Sequence, residues 1–259
     1  MDMLRDARPA LLLTRGESPS FDILSIDLVS PHAFNDQGGG KKHQSTWLDD
    51  PSKRLASIFY TSGTSGRPKG VECPHSGYIN LVKSYAAYFD FIPGQDATSL
   101  SSSLGYDGSI SEMYSAWVAG CEVVMLTKPE LRSGPDLLPI LKEREVTALF
   151  CPPVLLSTLS SKPSIDLPYP ICRYVIPAGE AFPASLVRPW SEGRRQIINT
   201  YGPTEASTDT SRQLLRPDEP VTIGTPFAGV SYLILSPRDL QPVPVGQEGE
   251  LCIGGCQLA

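Results

Sequence analysis

The sequence predicts an α/β fold of mostly parallel sheets flanked by helices, with a smaller β-rich subdomain at the C-terminal end. Two observations predict it. Short apolar runs alternate with amphipathic stretches along most of the chain, the pattern of strand–helix–strand units. After Pro220, short apolar runs are separated by proline and glycine, with no helical pattern between them. We therefore predict an α/β part at residues 1–218 and the start of a β subdomain at 219–259.

The individual elements follow from these runs. The predicted strands of the α/β part are residues 10–14, 23–28, 55–60, 122–126, 147–150, 173–176 and 196–199. The predicted helices are residues 78–89, 109–118, 136–143, 154–159 and 184–190. In the β subdomain, the predicted strands are residues 221–224, 231–235 and 250–253. Residues 36–45 contain three consecutive glycines and no apolar side chain, which predicts an exposed loop.

The composition excludes several classes of protein. Hydrophobic residues make up 41% and charged residues 19%, so the chain has enough apolar surface for a buried core. The net charge is −6 and no region concentrates Lys and Arg, so we expect no nucleic-acid partner. No apolar run approaches the ~18 residues of a membrane span, so we expect no membrane partner. The six scattered cysteines include no CxxC pair, which favours buried, reduced thiols in a cytoplasmic protein.

A loop rich in glycine and hydroxyl side chains follows the predicted strand 55–60. Residues 61–70 (TSGTSGRPKG) contain four hydroxyl side chains, three glycines and Lys69. Glycine lets backbone N–H groups approach an oxyanion, hydroxyls donate further hydrogen bonds, and lysine adds a positive charge. The loop is not a Walker A motif, because Arg67 and Pro68 precede the lysine and Gly70 follows it. The composition of residues 61–70 therefore predicts an extended loop that binds phosphate.

A second polar segment, residues 199–205 (NTYGPTE), follows the predicted strand 196–199. Open α/β sheets bind their ligands at the carboxyl ends of strands. There, Tyr201 can stack on a base, Thr204 can bind phosphate and Glu205 can hold Mg²⁺ through its oxygens. The same residues also suit the first turn of a helix capped by Thr204, and the two interpretations are compatible.

These two segments resemble known motifs. Residues 60–70 resemble the signature loop of the adenylate-forming (AMP-binding) enzymes, which include acyl-CoA synthetases, luciferases and the adenylation domains of nonribosomal peptide synthetases. Residues 199–205 match the family motif Asn-x-Tyr-Gly-Pro-Thr-Glu, and residues 177–181, 223–226 and 249–255 resemble further family segments in the same order. The similarity extends from about residue 11 to residue 259, with Ala178 in place of a family glycine.

The resemblance implies ATP and Mg²⁺ as cofactors. It implies catalytic roles for Lys69, Thr204 and Glu205, with Glu205 as the metal ligand. It implies that the nucleotide is bound by Thr61, Ser62, Gly63, Thr64, Ser65, Gly66, Lys69, Gly179, Glu180, Ala181, Asn199, Thr200, Tyr201, Gly202 and Thr204.

A third segment, residues 106–109 (YDGS), resembles the Phe-Asp-x-Ser motif of peptide-synthetase adenylation domains, whose Asp pairs with the α-ammonium of the substrate. Without the resemblance, Asp107 or Ser109 would be the N-cap of the following helix. The resemblance implies an amino-acid pocket formed by Asp107, Gly108, Ser111, Phe150, Ile176, Ala178, Thr200, Thr208 and Asp209. Its small and polar members favour a polar substrate side chain. Asp209 either pairs with a second cation or faces solvent.

The function implied by the resemblance is the activation of an amino-acid carboxylate as acyl-adenylate, for transfer to the phosphopantetheine thiol of a carrier (thiolation) domain. The family's Arg-Gly-Tyr run, Thr-Gly-Asp motif and lysine-bearing C-terminal domain do not occur in this sequence. We therefore expect a truncated adenylation-domain core, an internal fragment that adenylates poorly. One alternative is a fatty- or aryl-acyl ligase of the same superfamily, against which Asp107 argues. The other is a non-catalytic nucleotide-binding remnant.

Overall fold

A computed structural model describes residues 2–7, 9, 11–14, 24–27, 53–62 and 67–259 of the chain. The chain divides into two compact units. One comprises residues 1–51 and 60–70, and the other comprises residues 52–59 and 71–259. The predicted loop at 36–45 lies outside the described residues.

The smaller unit contains helix α1 (Asp2–Ala7) and the parallel strand pair β1 (Leu11–Thr14) and β2 (Leu24–Asp27). Both strands were predicted from their apolar runs, and both predictions are confirmed. In the same unit, the Tyr60 hydroxyl donates a hydrogen bond to Asp6 Oδ2 at 2.8 Å.

A seven-stranded sheet forms the centre of the larger unit. Its strands are β5 (Ala97–Leu100), β6 (Glu122–Met125), β7 (Ala148–Cys151), β8 (Tyr174–Pro177), β9 (Gln196–Tyr201), β10 (Ser211–Leu215) and β11 (Thr225–Pro226). Their spatial order is β11-β10-β9-β8-β7-β5-β6. Strands β6, β5, β7, β8 and β9 run parallel to one another, whereas β10 pairs antiparallel with both β9 and β11. The predicted α/β fold with a mostly parallel sheet is confirmed.

Two further strand pairs complete the sheet structure. Strands β3 (Leu55–Ser62) and β4 (Pro68–Pro74) form a two-stranded sheet. Strands β12 (Val230–Leu235) and β13 (Glu250–Gly255) pair antiparallel, as expected for the β-rich C-terminal part. The domain boundary near residue 218 stays a prediction.

Helices connect the parallel strands. They are α2 (His75–Ala86), α3 (Gly108–Val118), α4 (Lys128–Leu131), α5 (Leu137–Glu143), α6 (Pro153–Leu159), α7 (Pro163–Asp166) and α8 (Val187–Ser191). The five predicted helices correspond to α2, α3, α5, α6 and α8, the last preceded by a 3₁₀ turn at Ala184–Leu186. Within the described residues, no helix has the length and apolar character needed to cross a membrane.

The core lies on both faces of the central sheet. Successive residues of a strand point to opposite faces, and β7 follows this rule. Leu149 packs in a cluster with the helix residues Leu137, Leu156 and Trp190, whereas its neighbour Phe150 packs in a second cluster with Tyr85. Strands buried on both faces read as continuous apolar runs, which is why β7 and β8 could be found from the sequence, whereas β9 offers only the apolar pair Ile197 and Ile198.

The strand predicted at residues 221–224 is wrong. These residues form no ladder, because side chains of the neighbouring strands satisfy their backbone groups instead. Asn199 Nδ2 donates to the Thr222 carbonyl at 2.8 Å, and Ser211 Oγ donates to the Ile223 carbonyl at 2.7 Å. The Thr222 N–H donates to Gln213 Oε1 at 2.6 Å. The edge strand begins only at Thr225.

A buried ion pair joins the amino-terminal ends of β5 and β8. Arg173 donates to Asp96 through Nε at 3.1 Å and Nη2 at 2.7 Å. Burial alone would raise the pKa of Asp96, but hydrogen bonds from Arg173, Thr147 and Ile92 hold that pKa below its usual value. The ionised carboxylate therefore stabilises the fold.

We expect Asp96→Asn to lower the free energy of unfolding by about 2 kcal/mol at neutral pH, because the partly buried Arg173 guanidinium is left without a counter-charge. Since the pKa of Asp96 is lowered in the fold, its contribution is present above the ordinary carboxyl pKa and is lost as pH falls through the lowered value. Urea unfolding at several pH values measures this. The control is Asp218→Asn, which breaks the exposed pair with Arg188 and should cost under about 0.5 kcal/mol. Equal costs would contradict the account.

Candidate functional site

The order of the strands defines where a ligand can bind. From β5 the chain moves outward to β6, and then returns to place β7, β8 and β9 on the other side of β5. Such a reversal opens a crevice between the carboxyl ends of the strands on either side, which is where open α/β sheets bind ligands. Two cavities lie at this edge of the sheet.

The first cavity has a volume of about 390 Å³ and lies at the carboxyl ends of β5, β7 and β8. Six of the nine predicted amino-acid pocket residues line it, namely Gly108, Ser111, Phe150, Ile176, Ala178 and Asp209. The wall also contains Tyr106, from the 106–109 motif, and residues that the sequence did not indicate, among them Ser101, Ser102 and Glu112.

The second cavity has a volume of about 380 Å³ and lies at the carboxyl ends of β8 and β9. The other three predicted pocket residues, Asp107, Thr200 and Thr208, line this cavity. So do the predicted nucleotide-binding residues Gly179, Glu180, Ala181, Asn199, Thr200, Tyr201 and Gly202. The two cavities share Tyr106, Gly108, Ala178, Gly179, Glu180 and Asp209, so they adjoin along one wall.

Tyr106 stands on the shared wall. A Cβ atom added to Gly108 would lie 2.6 Å from its ring, and one added to Gly179 would lie 3.0 Å from its hydroxyl. Gly179 also has a φ of +83°, a conformation that costs glycine nothing. The two glycines therefore let the backbone approach the ring closely on both sides.

Asp107 is a buried carboxylate in this site. It occupies the N-cap position of α3, as the sequence alone allowed, but its side chain makes no capping hydrogen bond. Burial raises the pKa of Asp107 above its usual value, and the nearby Asp209 raises it further, although a hydrogen bond from Thr204 lowers it. In the absence of a ligand, the site therefore disfavours the ionised form of Asp107.

Asp209 is also buried, with 6% of its surface exposed, so the alternative that it faces solvent is wrong. Its Oδ2 atom accepts two hydrogen bonds of 2.7 Å, from the Tyr85 hydroxyl and from Ser111 Oγ. The Ser111 hydroxyl also lies 3.2 Å from Thr208 Oγ1. Tyr85 comes from the C-terminal end of α2, and nothing in the sequence around it indicates a role in the site.

Glu112 lines the first cavity, but other groups of the protein already donate hydrogen bonds to both of its carboxylate oxygens. Its Oε2 accepts the N–H groups of Ser101 and Ser102 at 2.6 and 3.2 Å, and its Oε1 accepts both serine hydroxyls. It thereby fixes the segment that follows β5. Burial raises the pKa of Glu112 more than these bonds lower it.

A strained turn carries Thr208 and Asp209 to the cavity wall. Ser207 and Thr208 both have positive φ, 54° and 71°, which is costly for residues other than glycine. The amide of Gln257 holds the turn by donating to the carbonyls of Ala206 and Asp209 at 3.4 and 2.9 Å.

Gly202 lies close beneath the same turn. A Cβ at Gly202 would lie 1.8 Å from the Thr208 carbonyl oxygen, so only glycine fits there. This close approach is a structural reason for the Gly-Pro pair that the sequence placed at the end of the strand.

Thr204 and Glu205 begin a 3₁₀ turn, Thr204–Ala206, whose N-cap is Pro203 rather than Thr204. Neither residue lines the two cavities. The Glu205 side chain is exposed, and no group of three or more His, Cys, Asp or Glu residues that could hold a metal exists among the described residues. A Mg²⁺ ion here would thus need further oxygen ligands from phosphate or water, which is the mode of binding that Mg²⁺ commonly adopts.

The predicted phosphate loop is only partly described. Gly63, Thr64, Ser65 and Gly66 lie outside the described residues. Thr61 and Ser62 end β3, and Lys69 lies in β4 with its surface exposed. The expectation of a wholly extended loop missed this second strand, which begins at Pro68.

Comparison with known proteins identifies the family. Residues 2–259 match the family model described as AMP-binding enzyme. The chain belongs to this family. The resemblance to adenylate-forming enzymes that residues 60–70 and 199–205 suggested is confirmed.

The relatives of this AMP-binding chain include peptide synthetases. It is 34% identical over 265 residues to tyrocidine synthase 1 of Brevibacillus parabrevis, covering 99% of the chain and 23% of the relative. It is 33% identical over 268 residues to gramicidin S synthase 2 of Aneurinibacillus migulanus, covering 99% and 6%. Novobiocin biosynthesis protein H of Streptomyces niveus is 33% identical, with coverage of 99% and 43%. The chain spans less than half the length of each of these relatives.

A solved structure has the same fold. The N-terminal subdomain of Klebsiella oxytoca NpsA, in complex with 3-hydroxybenzoyl-AMSN, matches 99% of the chain with a TM-score of 0.77 and 23% sequence identity. The chain covers 65% of that structure. This likeness supports the α/β architecture described above.

Proposed function

We propose that the AMP-binding chain activates an amino acid. The amino-acid carboxylate attacks the α-phosphorus of ATP, a new carboxyl–phosphate bond forms, and pyrophosphate leaves with the electrons of the broken bond. The observation that carries this proposal is a buried carboxylate, Asp107, beside two adjoining cavities at the carboxyl edge of the sheet. The reaction needs little proton transfer, so catalysis comes from positioning and charge neutralisation.

Asp107 supports an amino acid over a plain carboxylic acid. A buried carboxylate is costly without a partner, and its raised pKa reflects that cost. The α-ammonium of an amino acid supplies the missing charge, whereas a fatty or aryl acid would leave Asp107 unpaired. By holding the α-ammonium, Asp107 also orients the carboxylate of the amino acid towards the nucleotide. The aryl- or fatty-acyl ligase alternative gains no comparable support.

The second cavity supports the nucleotide half of the proposal. Tyr201 is partly exposed and offers its ring for stacking on adenine, and the backbone of Gly179 and Ala181 borders the same space. By family resemblance, Thr204 binds the α-phosphate, and residues 61–66 with Lys69 bind the β- and γ-phosphates. Glu205 is the residue that would hold Mg²⁺, which neutralises phosphate charge when bound.

The product of this reaction is an activated acyl group that needs an acceptor. We propose that a carrier-domain phosphopantetheine thiol takes the aminoacyl group and releases AMP. Peptide synthetases among the relatives support this choice of partner.

The proposal is tested by ATP–pyrophosphate exchange, measured on the protein at its full natural length. We expect exchange that depends on an amino acid, and little exchange with fatty or aryl acids. Exchange with plain acids alone would instead establish the acyl-ligase alternative. Binding of ATP with no exchange for any acid would establish a nucleotide-binding protein without this activity.

A further inference from the structure

We propose that the amino acid activated at this site has a positively charged side chain, which Asp209 binds through its Oδ1 atom. This inference rests on the proposed function and concerns the substrate class. It is carried by the hydrogen bonds of Asp209, by the charges that line the cavities and by the shape of the first cavity.

The hydrogen bonds leave one oxygen of Asp209 for a ligand. Both donors, Tyr85 and Ser111, bind Oδ2. Among the described residues, no donor makes a hydrogen bond to Oδ1, although Asp209 is 6% exposed and lines both cavities. Oδ1 is not among the fully buried side-chain atoms of the described residues that lack a partner, so it is accessible from the cavities and a ligand donor can reach it. The two bonds on Oδ2 also fix the orientation of the carboxylate before a ligand arrives.

The charges around the cavities favour a second cation. Among the described residues, those that line the two cavities include four acids, Asp107, Glu112, Glu180 and Asp209, and no Lys, Arg or His. Glu112 is satisfied by serine donors and Glu180 is exposed, so Asp107 and Asp209 are the two buried acids that remain to be paired. The single positive charge of the α-ammonium balances only one of these two negative charges. A positive charge on the side chain pairs with the other.

The electrostatic field at the cavities is also negative, as the excess of acidic residues there implies. Burial, followed by the negative charges of Asp107, Asp209 and Glu112, raises the pKa of Tyr106 to about 12. Tyr106 stands on the wall shared by the two cavities, so a ligand on either side of it is exposed to the same negative field.

The shape of the first cavity suits a flexible aliphatic stem. Phe150 and Ile176 supply apolar wall, and Gly108 and Ala178 take up little space. Methylene groups can pack against these residues while a terminal ammonium reaches Asp209. A purely aliphatic side chain of the same size would fill the stem region but would leave Asp209 buried and unpaired. The substrate class is therefore a diamino acid such as ornithine or lysine.

Matched pairs of amino acids test the inference in the exchange assay. Ornithine and norleucine have the same number of side-chain heavy atoms and differ in the terminal charge, as do lysine and 2-aminoheptanoate. We expect the charged member of at least one pair to be preferred by a factor of about 100 or more in kcat/KM, the scale expected when a buried charge loses its partner. Asp209→Asn should lower the kcat/KM of that charged substrate, and should reduce the ratio between its kcat/KM and that of its uncharged partner by a similar factor.

The outcomes separate this inference from the proposed function. Exchange that is strongest with an uncharged amino acid would overturn the charged-substrate inference and leave amino-acid activation standing. An Asp209→Asn variant that keeps its preference for the charged substrate would also overturn it. Exchange with plain acids only would overturn the proposed function itself. Thermal melting of Asp209→Asn checks its folding, and Ser111→Ala, which removes one Oδ2 donor but keeps the charge, should retain the charged preference.

Discussion

Replacing Asp107 with asparagine is expected to lower the kcat/KM of amino-acid-dependent exchange by about 10³, because the α-ammonium then meets no buried negative charge. Loss of one partner from a buried ion pair costs about 3–5 kcal/mol, and each 1.4 kcal/mol is about tenfold. The same change is expected to stabilise the ligand-free chain at pH 7 by about 1 kcal/mol, because it removes an ionised group that burial disfavours.

The stabilisation expected from Asp107→Asn depends on pH in a definite direction. The pKa of Asp107 is raised in the fold, so ionisation weakens the native state as pH rises through that value. The gain from Asp107→Asn should therefore shrink as pH falls towards the ordinary carboxyl pKa.

The control for this variant is Asp136→Asn. Asp136 is an exposed N-cap residue that, like Asp107, makes no side-chain capping bond. It should change neither exchange nor the melting temperature appreciably. If Asp107→Asn behaved as this control does, Asp107 would not be the ammonium partner.

The second large effect is expected at Gly202. In Gly202→Ala, the new Cβ would lie 1.8 Å from the Thr208 carbonyl oxygen and 2.8 Å from Asp209 Cα. The turn cannot move away freely, because Gln257 holds its flanking carbonyls. We expect a loss of about 3 kcal/mol in unfolding free energy and roughly a tenfold or greater loss in affinity for a nonhydrolysable aminoacyl-adenylate analogue, since Thr208 and Asp209 are displaced.

Calorimetric titration and thermal melting measure the two effects. Gly105→Ala is the matched control, because its nearest contact would be Ser103 Oγ at 3.8 Å, an ordinary distance. It should change stability by less than about 0.5 kcal/mol. A Gly202→Ala variant as stable and as tightly binding as Gly105→Ala would show that the close packing beneath the turn is not required.

The fold was predictable where hydrophobic pattern and burial agree. Strands β7 and β8 are buried along their whole length and read as apolar runs. Strand β5 was missed because its central residues, Thr98 and Ser99, are polar. Their hydroxyls donate hydrogen bonds to the carbonyls of Glu112 and Phe150, so both polar side chains can be buried without losing a hydrogen bond. Those carbonyls belong to α3 and β7, which are distant in sequence, so the residues around β5 do not predict these hydrogen bonds.

The candidate site was predictable to the extent that motifs name residues. All nine pocket residues inferred from the family resemblance line one of the two adjoining cavities. The residues that support them were not found, because Tyr85, Glu112 and Gln257 act through contacts between distant segments. Tyr85 lies 124 positions from the Asp209 it orients, and Gln257 lies 48 positions beyond the carbonyl it holds. Their roles depend on the tertiary fold.

The central claim is that the two cavities at the carboxyl edge of the sheet form one site for an aminoacyl-adenylate. A crystal structure of the chain with a nonhydrolysable aminoacyl-adenylate analogue tests it most directly. We predict that the adenine lies against Tyr201 and residues 179–181, and that the α-ammonium lies within about 3.2 Å of an Asp107 carboxylate oxygen. An analogue bound elsewhere, or bound with its ammonium directed away from Asp107, would contradict the claim.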